Sequence, residues 1–298
     1  MDLYSEKVEV RTDMYETILV GFDESLFSKA ALKEASSWVK RHGGKIILVH
    51  AIYFDAEEFT TVPEQLERRA EVGKRICYQA QEDITSELGI NIESLICEGE
   101  PPEVIVEIAQ GKKADLIALG TYGRKGLKRL LMGSVTSSII VNSPCDVLVV
   151  KKPCSECTGR YGSILLPFDG SIYSKKSLNR AFELSKIDGA EINVLYVIPR
   201  YEEMVEFFMT GAIRKSLYNE AEKVLASAKD MASGQGISIK TEIKEGNAAE
   251  NIIETAEKQK NDLIIMGPYG YRGIDKAIMG STTERVIANA ACPVLCVR

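Results

Sequence analysis

Apolar and polar positions follow two rhythms along this chain: short β-branched runs, and longer stripes spaced by three and four residues. In the N-terminal half, Thr17–Phe22, Lys45–Ile52, Asn91–Ile96, Asp115–Gly120 and Asp146–Val150 read as strands. Between them, Ala31, Leu32, Ala35, Trp38 and Val39 share one helical face, and Leu66, Ala70, Gly73, Cys77, Ala80, Ile84 and Leu88 form a longer stripe. Val104, Ile105, Ile108 and Ala109 mark a third helix, and Val135, Ile139 and Ile140 a fourth. The C-terminal half follows the same plan, with Glu191–Ile198 and Ser238–Lys244 as inner strands and Leu217, Ala221, Val224, Leu225 and Ala228 as its long stripe. Runs such as Ile46-Ile47-Leu48-Val49 are apolar on both faces, which suits parallel strands covered from both sides. The pattern predicts an α/β fold, with open, doubly wound sheets of about five parallel strands and helices on both faces. Ligands of such sheets bind beyond the carboxyl ends of the strands, where the strand order switches direction.

The unit is written twice. Ile18-Leu19-Val20-Gly21-Phe22-Asp23-Glu24-Ser25 recurs 146 positions later as Ile164-Leu165-Leu166-Pro167-Phe168-Asp169-Gly170-Ser171. Ala114–Lys151 aligns with Asn261–Arg298 at an offset of 147, with 17 of the 38 positions identical. A length of 298 residues also accommodates one large barrel, and the repeat decides for two domains. The expected boundaries are an extension over 1–14, a first domain over 15–151, a linker over 152–161 and a second domain over 162–298. An apolar share of 45% excludes wholesale disorder, and a net charge of −6 argues against a nucleic-acid binder working through a broad basic surface. The sequence shows neither an apolar run of membrane-spanning length nor a signal-peptide pattern, so a cytoplasmic protein without a membrane partner is expected.

Two features fall at the predicted strand ends of each unit. Asp23 and Asp169 stand just past the first strand, where a carboxylate either accepts hydrogen bonds from a sugar or base, or caps the next helix. After the fourth strand comes Gly120-Thr121-Tyr122-Gly123, then nine residues, then Gly133-Ser134. The second unit gives Gly267-Pro268-Tyr269-Gly270, again nine residues, then Gly280-Ser281. Glycine after a strand admits a ligand close to the backbone, and Gly-Ser opening a helix offers N–H groups and a dipole end to phosphate. A turn-shaping role with serine as the helix cap is the alternative. The intervening segments differ in charge: Arg124, Lys125, Lys128 and Arg129 stand alone in the first, whereas Arg272 and Lys276 face Asp275 in the second. The first site is therefore expected to favour polyphosphate nucleotides and the second to tolerate a monophosphate.

With these motifs in both halves, the chain resembles the nucleotide-binding branch of the universal stress protein family, in a tandem form. The resemblance implies a Rossmann-like fold of the adenine nucleotide alpha hydrolase type, holding ATP or AMP across the strand ends, with Mg2+ at the phosphates. Carried over by position, it implicates Asp23, Ala51, Gly120, Tyr122, Gly123, Arg124, Gly133, Ser134, Val135 and Thr136 in the first unit. In the second it implicates Pro167, Asp169, Val197, Met266, Gly267, Tyr269, Gly270, Gly280, Ser281, Thr282 and Thr283. Gly21 departs from the proline that the family often places there and that the second unit has as Pro167. The resemblance also implies pairing through the last strands, Val147–Val150 with Val294–Val297, giving a pseudo-dimer within one chain and a homodimer beyond it.

Smaller signals remain. Cys154 and Cys157 form a Cys-x-x-Cys pair in the linker, open to readings as half a metal site, a redox pair or two thiols without a specific role. His50 ends a strand and is expected in a core or capping role. Met204, Val205, Phe207 and Phe208 form an apolar group whose default reading is helix core. The chain has no Walker A motif and no obvious base for phosphoryl transfer, so binding is favoured over catalysis, with slow ATP hydrolysis as the enzymatic alternative.

Overall fold

The structure, a computed structural model, describes residues 14–53, 63–122, 132–151, 158–199, 211–270 and 279–298. In the first half, β1 (Thr17–Gly21), β2 (Lys45–Ile52), β3 (Ile92–Glu98), β4 (Leu116–Gly120) and β5 (Asp146–Val150) are joined through α1 (Leu26–His42), α2 (Pro63–Leu88), α3 (Pro101–Gly111) and α4 (Ser134–Asn142). The second half contributes β6 (Ser163–Pro167), β7 (Glu191–Pro199), β8 (Ile239–Gly246), β9 (Leu263–Met266) and β10 (Val294–Cys296). Its helices are α5 (Ile172–Asp188), α6 (Gly211–Ser233), α7 (Ala248–Gln259) and α8 (Ser281–Asn289). The Met204–Phe208 group, the linker thiols and the Arg124–Arg129 segment lie outside the described residues.

Each half is a parallel sheet in the order 3-2-1-4-5, so the direction of winding reverses between β1 and β4, and between β6 and β9. The strands are apolar because both faces are covered. One buried cluster joins Ala31, Leu32 and Ala35 of α1 and Ile76 and Ala80 of α2 to Leu178 and Ala181 of α5 and Leu225 of α6. The other joins Val104 and Ile105 of α3 and Ile139 and Ile140 of α4 to Ile252 of α7 and Val286 of α8. Both clusters run through both halves, so the seam between the domains is part of the core.

At that seam β5 and β10 pair antiparallel, with Leu148 opposite Leu295, Val149 opposite Val294 and Val147 opposite Cys296. Leu148 and Leu295 are equivalent positions of the repeat, so the pairing has a pseudo-two-fold axis through them. The ten strands form one sheet, and β5 and β10 are interior to it. Because the pairing is antiparallel, the carboxyl ends of the two halves point in opposite directions, and the two switch points lie at opposite ends of the sheet. Among the described residues no helix is long and apolar enough to cross a membrane.

Side chains from α1 and α5 lock the seam. Tyr161 Oη donates to Glu34 Oε1 (2.8 Å), Tyr15 Oη to Asp146 Oδ2 (2.7 Å) and Arg180 Nε to Asp146 Oδ2 (2.7 Å). The Arg180 guanidinium also lies over the Tyr15 ring at 5.5 Å. Burial, then the Asp146 carboxylate, push the Tyr15 hydroxyl well above the ordinary tyrosine range. His42 donates from Nε2 to the Gly159 carbonyl (2.9 Å) and sits 3.5 Å from Asp188 Oδ1. The second contact is too long for a strong hydrogen bond.

Burial pulls the His42 pKa below its usual value, against the opposing pull of the Gly159 carbonyl and Asp188. The unfolded chain therefore binds more protons as pH falls through about 6.5, and stability contributed by neutral His42 is lost between that value and the lower folded pKa. Urea midpoints measured from pH 7.5 to 5.5 should decline in the wild type, and less steeply in His42→Gln.

Candidate functional site at the strand ends

Asp23 and Asp169 follow β1 and β6 at the two switch points. Each accepts at Oδ1 the backbone N–H of the serine two residues on, Ser25 and Ser171, both at 3.0 Å. Those serines, not the aspartates, cap α1 and α5, since Ser25 Oγ accepts from Ser28 N and Ser171 Oγ from Ser174 N. The aspartates are thus held in an Asx turn beside the strand ends, only partly buried.

The glycine loops converge on the same ends. A β-carbon on Gly270 would lie 3.1 Å from Asp169 Oδ2, so the second loop runs directly against the carboxylate. In the first unit Ser25 Oγ reaches toward the Tyr122 carbonyl at 3.5 Å, while Gly123 and Arg124 lie outside the described residues. The far end of each loop is tied back to its strand. Gly133 N donates to the Thr121 carbonyl (3.1 Å) and Gly280 N to the Pro268 carbonyl (3.0 Å). Thr136 Oγ1 donates to the Gly120 carbonyl (2.9 Å) and Thr283 Oγ1 to the Gly267 carbonyl (3.0 Å).

These contacts divide the expected site residues into two groups. Gly120 and Gly267 are required by the protein itself, because a β-carbon there would lie 2.6 Å from Phe27 Cβ and 2.4 Å from Tyr173 Cβ. The close approach expected of a ligand at these glycines is made instead by the first turns of α1 and α5. Thr136 and Thr283 are likewise buried and spend their hydroxyls on carbonyls of the strand ends. Met266 and Tyr269 are buried, Met266 in the core and Tyr269 against Tyr173. The second group is open. Gly133 and Gly280 are the N-caps of α4 and α8 with no side-chain cap, so Ser134 and Ser281 are first helical residues rather than caps, and both are exposed. Val135 and Thr282 beside them are partly exposed, as are Ala51 and Val197 on the neighbouring strands. Each site therefore holds a partly exposed carboxylate, a small apolar position on the adjoining strand and an uncapped helix N-terminus.

Gly21, where the second unit has Pro167, is closely packed. A β-carbon at Gly21 would lie 2.7 Å from Leu119 Cδ2 and 2.9 Å from Ile105 Cδ1. The equivalents in the second unit are Met266 and Ile252. His50 Nδ1 lies 2.7 Å from the Phe22 carbonyl, which assigns the proton to Nδ1 and fixes the ring against the backbone next to Asp23. Its equivalent, Tyr196, has a hydroxyl pKa raised by burial, then by Glu220 and Asp169, so a phenol stands in the field of the second carboxylate. The aromatic pairs Phe27–Tyr122 and Tyr173–Tyr269, with centroids 5.3 and 5.4 Å apart, brace the loops edge-to-face. The sequence signal for that bracing was the aromatic two residues past Ser25 and Ser171 in both units.

An open groove of about 490 Å³ elsewhere on the second half of the sheet is lined by Ser163, Glu191, Asn193, Lys240, Glu242 and Gln259. It lies toward the amino ends of β6, β7 and β8, away from this site. No group of three or more His, Cys, Asp or Glu side chains positioned to hold a metal occurs among the described residues.

The sequence profile of the universal stress protein family matches residues 14–151 and again 160–298. The chain belongs to the universal stress protein family. Both halves carry the family unit, so it is a tandem member. A family member from Methanocaldococcus jannaschii is 39% identical over 141 residues, covering 46% of this chain and 82% of that protein. Another, from Mycolicibacterium smegmatis, is 25% identical over 298 residues, covering 94% and 96%. The crystal structure of a universal stress protein from Archaeoglobus fulgidus DSM 4304 superposes with a TM-score of 0.72 at 22% identity, covering 95% of this chain and 96% of that one, which bears on the fold alone.

Proposed function

We propose that this tandem universal stress protein binds adenine nucleotide, ATP or AMP, at two sites, one at each switch point of its sheet. The observation that carries the reading is the duplicated arrangement of a carboxylate fixed by an Asx turn beside a loop that ends on an uncapped helix N-terminus. In it, Asp23 and Asp169 accept from the ribose hydroxyls, and Ala51 and Val197 lie against the base. The first-turn N–H groups of α4 and α8, with the Ser134 and Ser281 hydroxyls, take the phosphates. Gly133, Gly270 and Gly280 lie beside them, and Gly123 and Arg124 are further proposed phosphate contacts. Mg2+ enters with the nucleotide phosphates, because the described side chains supply no preformed cation cage. The four net positive charges between Gly123 and Gly133 favour the polyphosphate at the first site.

The protein acts as a nucleotide-responsive binding protein of the cytoplasm rather than as a phosphotransferase. Denaturing the purified protein and chromatographing what is released tests this directly, with AMP or ATP expected and no adenine nucleotide as the opposing result. Asp169→Ala should weaken nucleotide binding at the second site by about tenfold, the worth of one charge-assisted hydrogen bond. Titration calorimetry would show it as one weakened class of site beside one unchanged.

A further inference from the structure

The two halves meet through equivalent surfaces, yet the residues on them have diverged in charge. Tyr15 and Tyr161, Glu34 and Arg180, and His42 and Asp188 are each 146 positions apart and so occupy matching places on the two domains. Around the pseudo-two-fold axis Glu34 meets Tyr161, and Arg180 meets Tyr15. The first contact is a neutral hydroxyl to a carboxylate. The second is a cation over a ring, joined by the carboxylate of Asp146, whose counterpart in the second half is Pro293. His42 and Asp188 face each other although they are copies of one position, which puts them close to the axis itself. Both are nearly sealed from water, with side-chain exposures of 6% and 0%. Arg41 also approaches Asp188 at 3.5 Å, where the matching residue of the second half is Ile187.

A surface built on a two-fold axis can in general accept its own copy. Here the copies would be penalised. Two first halves would bring Glu34 onto Asp146 twice, where Arg180 meets Asp146 in the chain, and would set His42 against His42. Two second halves would set Asp188 against Asp188 in a buried place, without Arg41, and would leave each Arg180 with Glu183 of its own helix but with Pro293 in place of Asp146. Buried like charges and buried unpaired charges are the costliest errors an interface makes. We propose that this seam is a selective interaction surface, with Glu34, Arg180, Asp146, His42 and Asp188 as its specificity residues, so that a first half accepts a second half and rejects another first half. Two chains consequently do not assemble by pairing like domains through β5 or β10.

The test uses the full chain with a protease site inserted between Lys152 and Cys157, cleaved after folding. Cleaved protein is mixed with an isotopically labelled cleaved sample, incubated until label exchanges between them, and weighed by native mass spectrometry. Pairs of unlike halves should exceed pairs of like halves by on the order of tenfold or more. Asp188→Asn, which removes the facing charges, should raise the share of paired second halves several-fold. A statistical mixture of like and unlike pairs would overturn the proposal, as would complete separation of the cleaved halves into single domains. An unchanged share of paired second halves in Asp188→Asn would overturn the role of that residue.

Discussion

Gly159→Ala is expected to destabilise the protein by about 2–5 kcal/mol, combining ~1–3 kcal/mol for overpacking with ~1–2 kcal/mol for a β-carbon in left-handed backbone. Gly159 has φ +66°, and a β-carbon there would lie 2.1 Å from the Ser37 carbonyl oxygen and 2.9 Å from Trp38 N. These are backbone atoms inside α1, so no side-chain rotation relieves the clash. The same glycine presents its carbonyl to His42 Nε2, so the displaced loop also loses a buried hydrogen bond. Thermal unfolding followed by circular dichroism should show a midpoint lower by on the order of 10 °C. Gly236→Ala is the matched control, with φ +70° and nothing within 4 Å of the added carbon. It should cost only the backbone share, about 1 kcal/mol. Equal losses in the two variants would mean that the seam tolerates rearrangement beside α1.

Gly267→Ala, and Gly120→Ala in the other half, should damage folding and binding together. The added carbon meets Tyr173 Cβ at 2.4 Å in one case, and Phe27 Cβ at 2.6 Å and Ser28 N at 2.8 Å in the other. The helix turns that must move carry Ser171 and Ser25, whose N–H groups hold Asp169 and Asp23. A stability loss of about 1–3 kcal/mol is expected from overpacking, with nucleotide affinity at the altered site down by at least about tenfold while the other site is unchanged. Gly280→Ala gives the contrast, since its nearest neighbour would be the Pro268 carbonyl oxygen at 3.4 Å, an ordinary contact. If Gly267→Ala melts like the wild type, the packing role assigned to this glycine is wrong.

The strands were legible in the sequence because parallel strands buried on both faces leave uninterrupted apolar runs, as in Ile46–Val49. The pairing of β5 with β10 came from the family resemblance, and the apolar last strand of each repeat alone does not name its partner. What the sequence did not show was who uses each repeated motif. Gly120 and Gly267 read as openings for a ligand, and the structure fills that space with Phe27 and Tyr173. Nothing local to the glycine announces a neighbour about 93 residues away, as Phe27 is from Gly120. The aspartates read more readily as caps than as ligand contacts, whereas Ser25 and Ser171 do the capping, because a serine at the N-cap reaches the N–H three residues on while the aspartate is bound by the turn before it. The charge divergence of Glu34 and Arg180 stands openly in the aligned repeats, but only the antiparallel seam gives it meaning.

The central claim is that nucleotide occupies both strand-end sites, one in each half. Titration calorimetry of the nucleotide-free full chain with ATP, run on the wild type, Asp23→Ala, Asp169→Ala and the double variant, tests it most directly. The account predicts two equivalents of nucleotide per wild-type chain, one of them weakened about tenfold in each single variant and both weakened in the double variant. A single equivalent per wild-type chain, or binding that survives unchanged in the double variant, would contradict it.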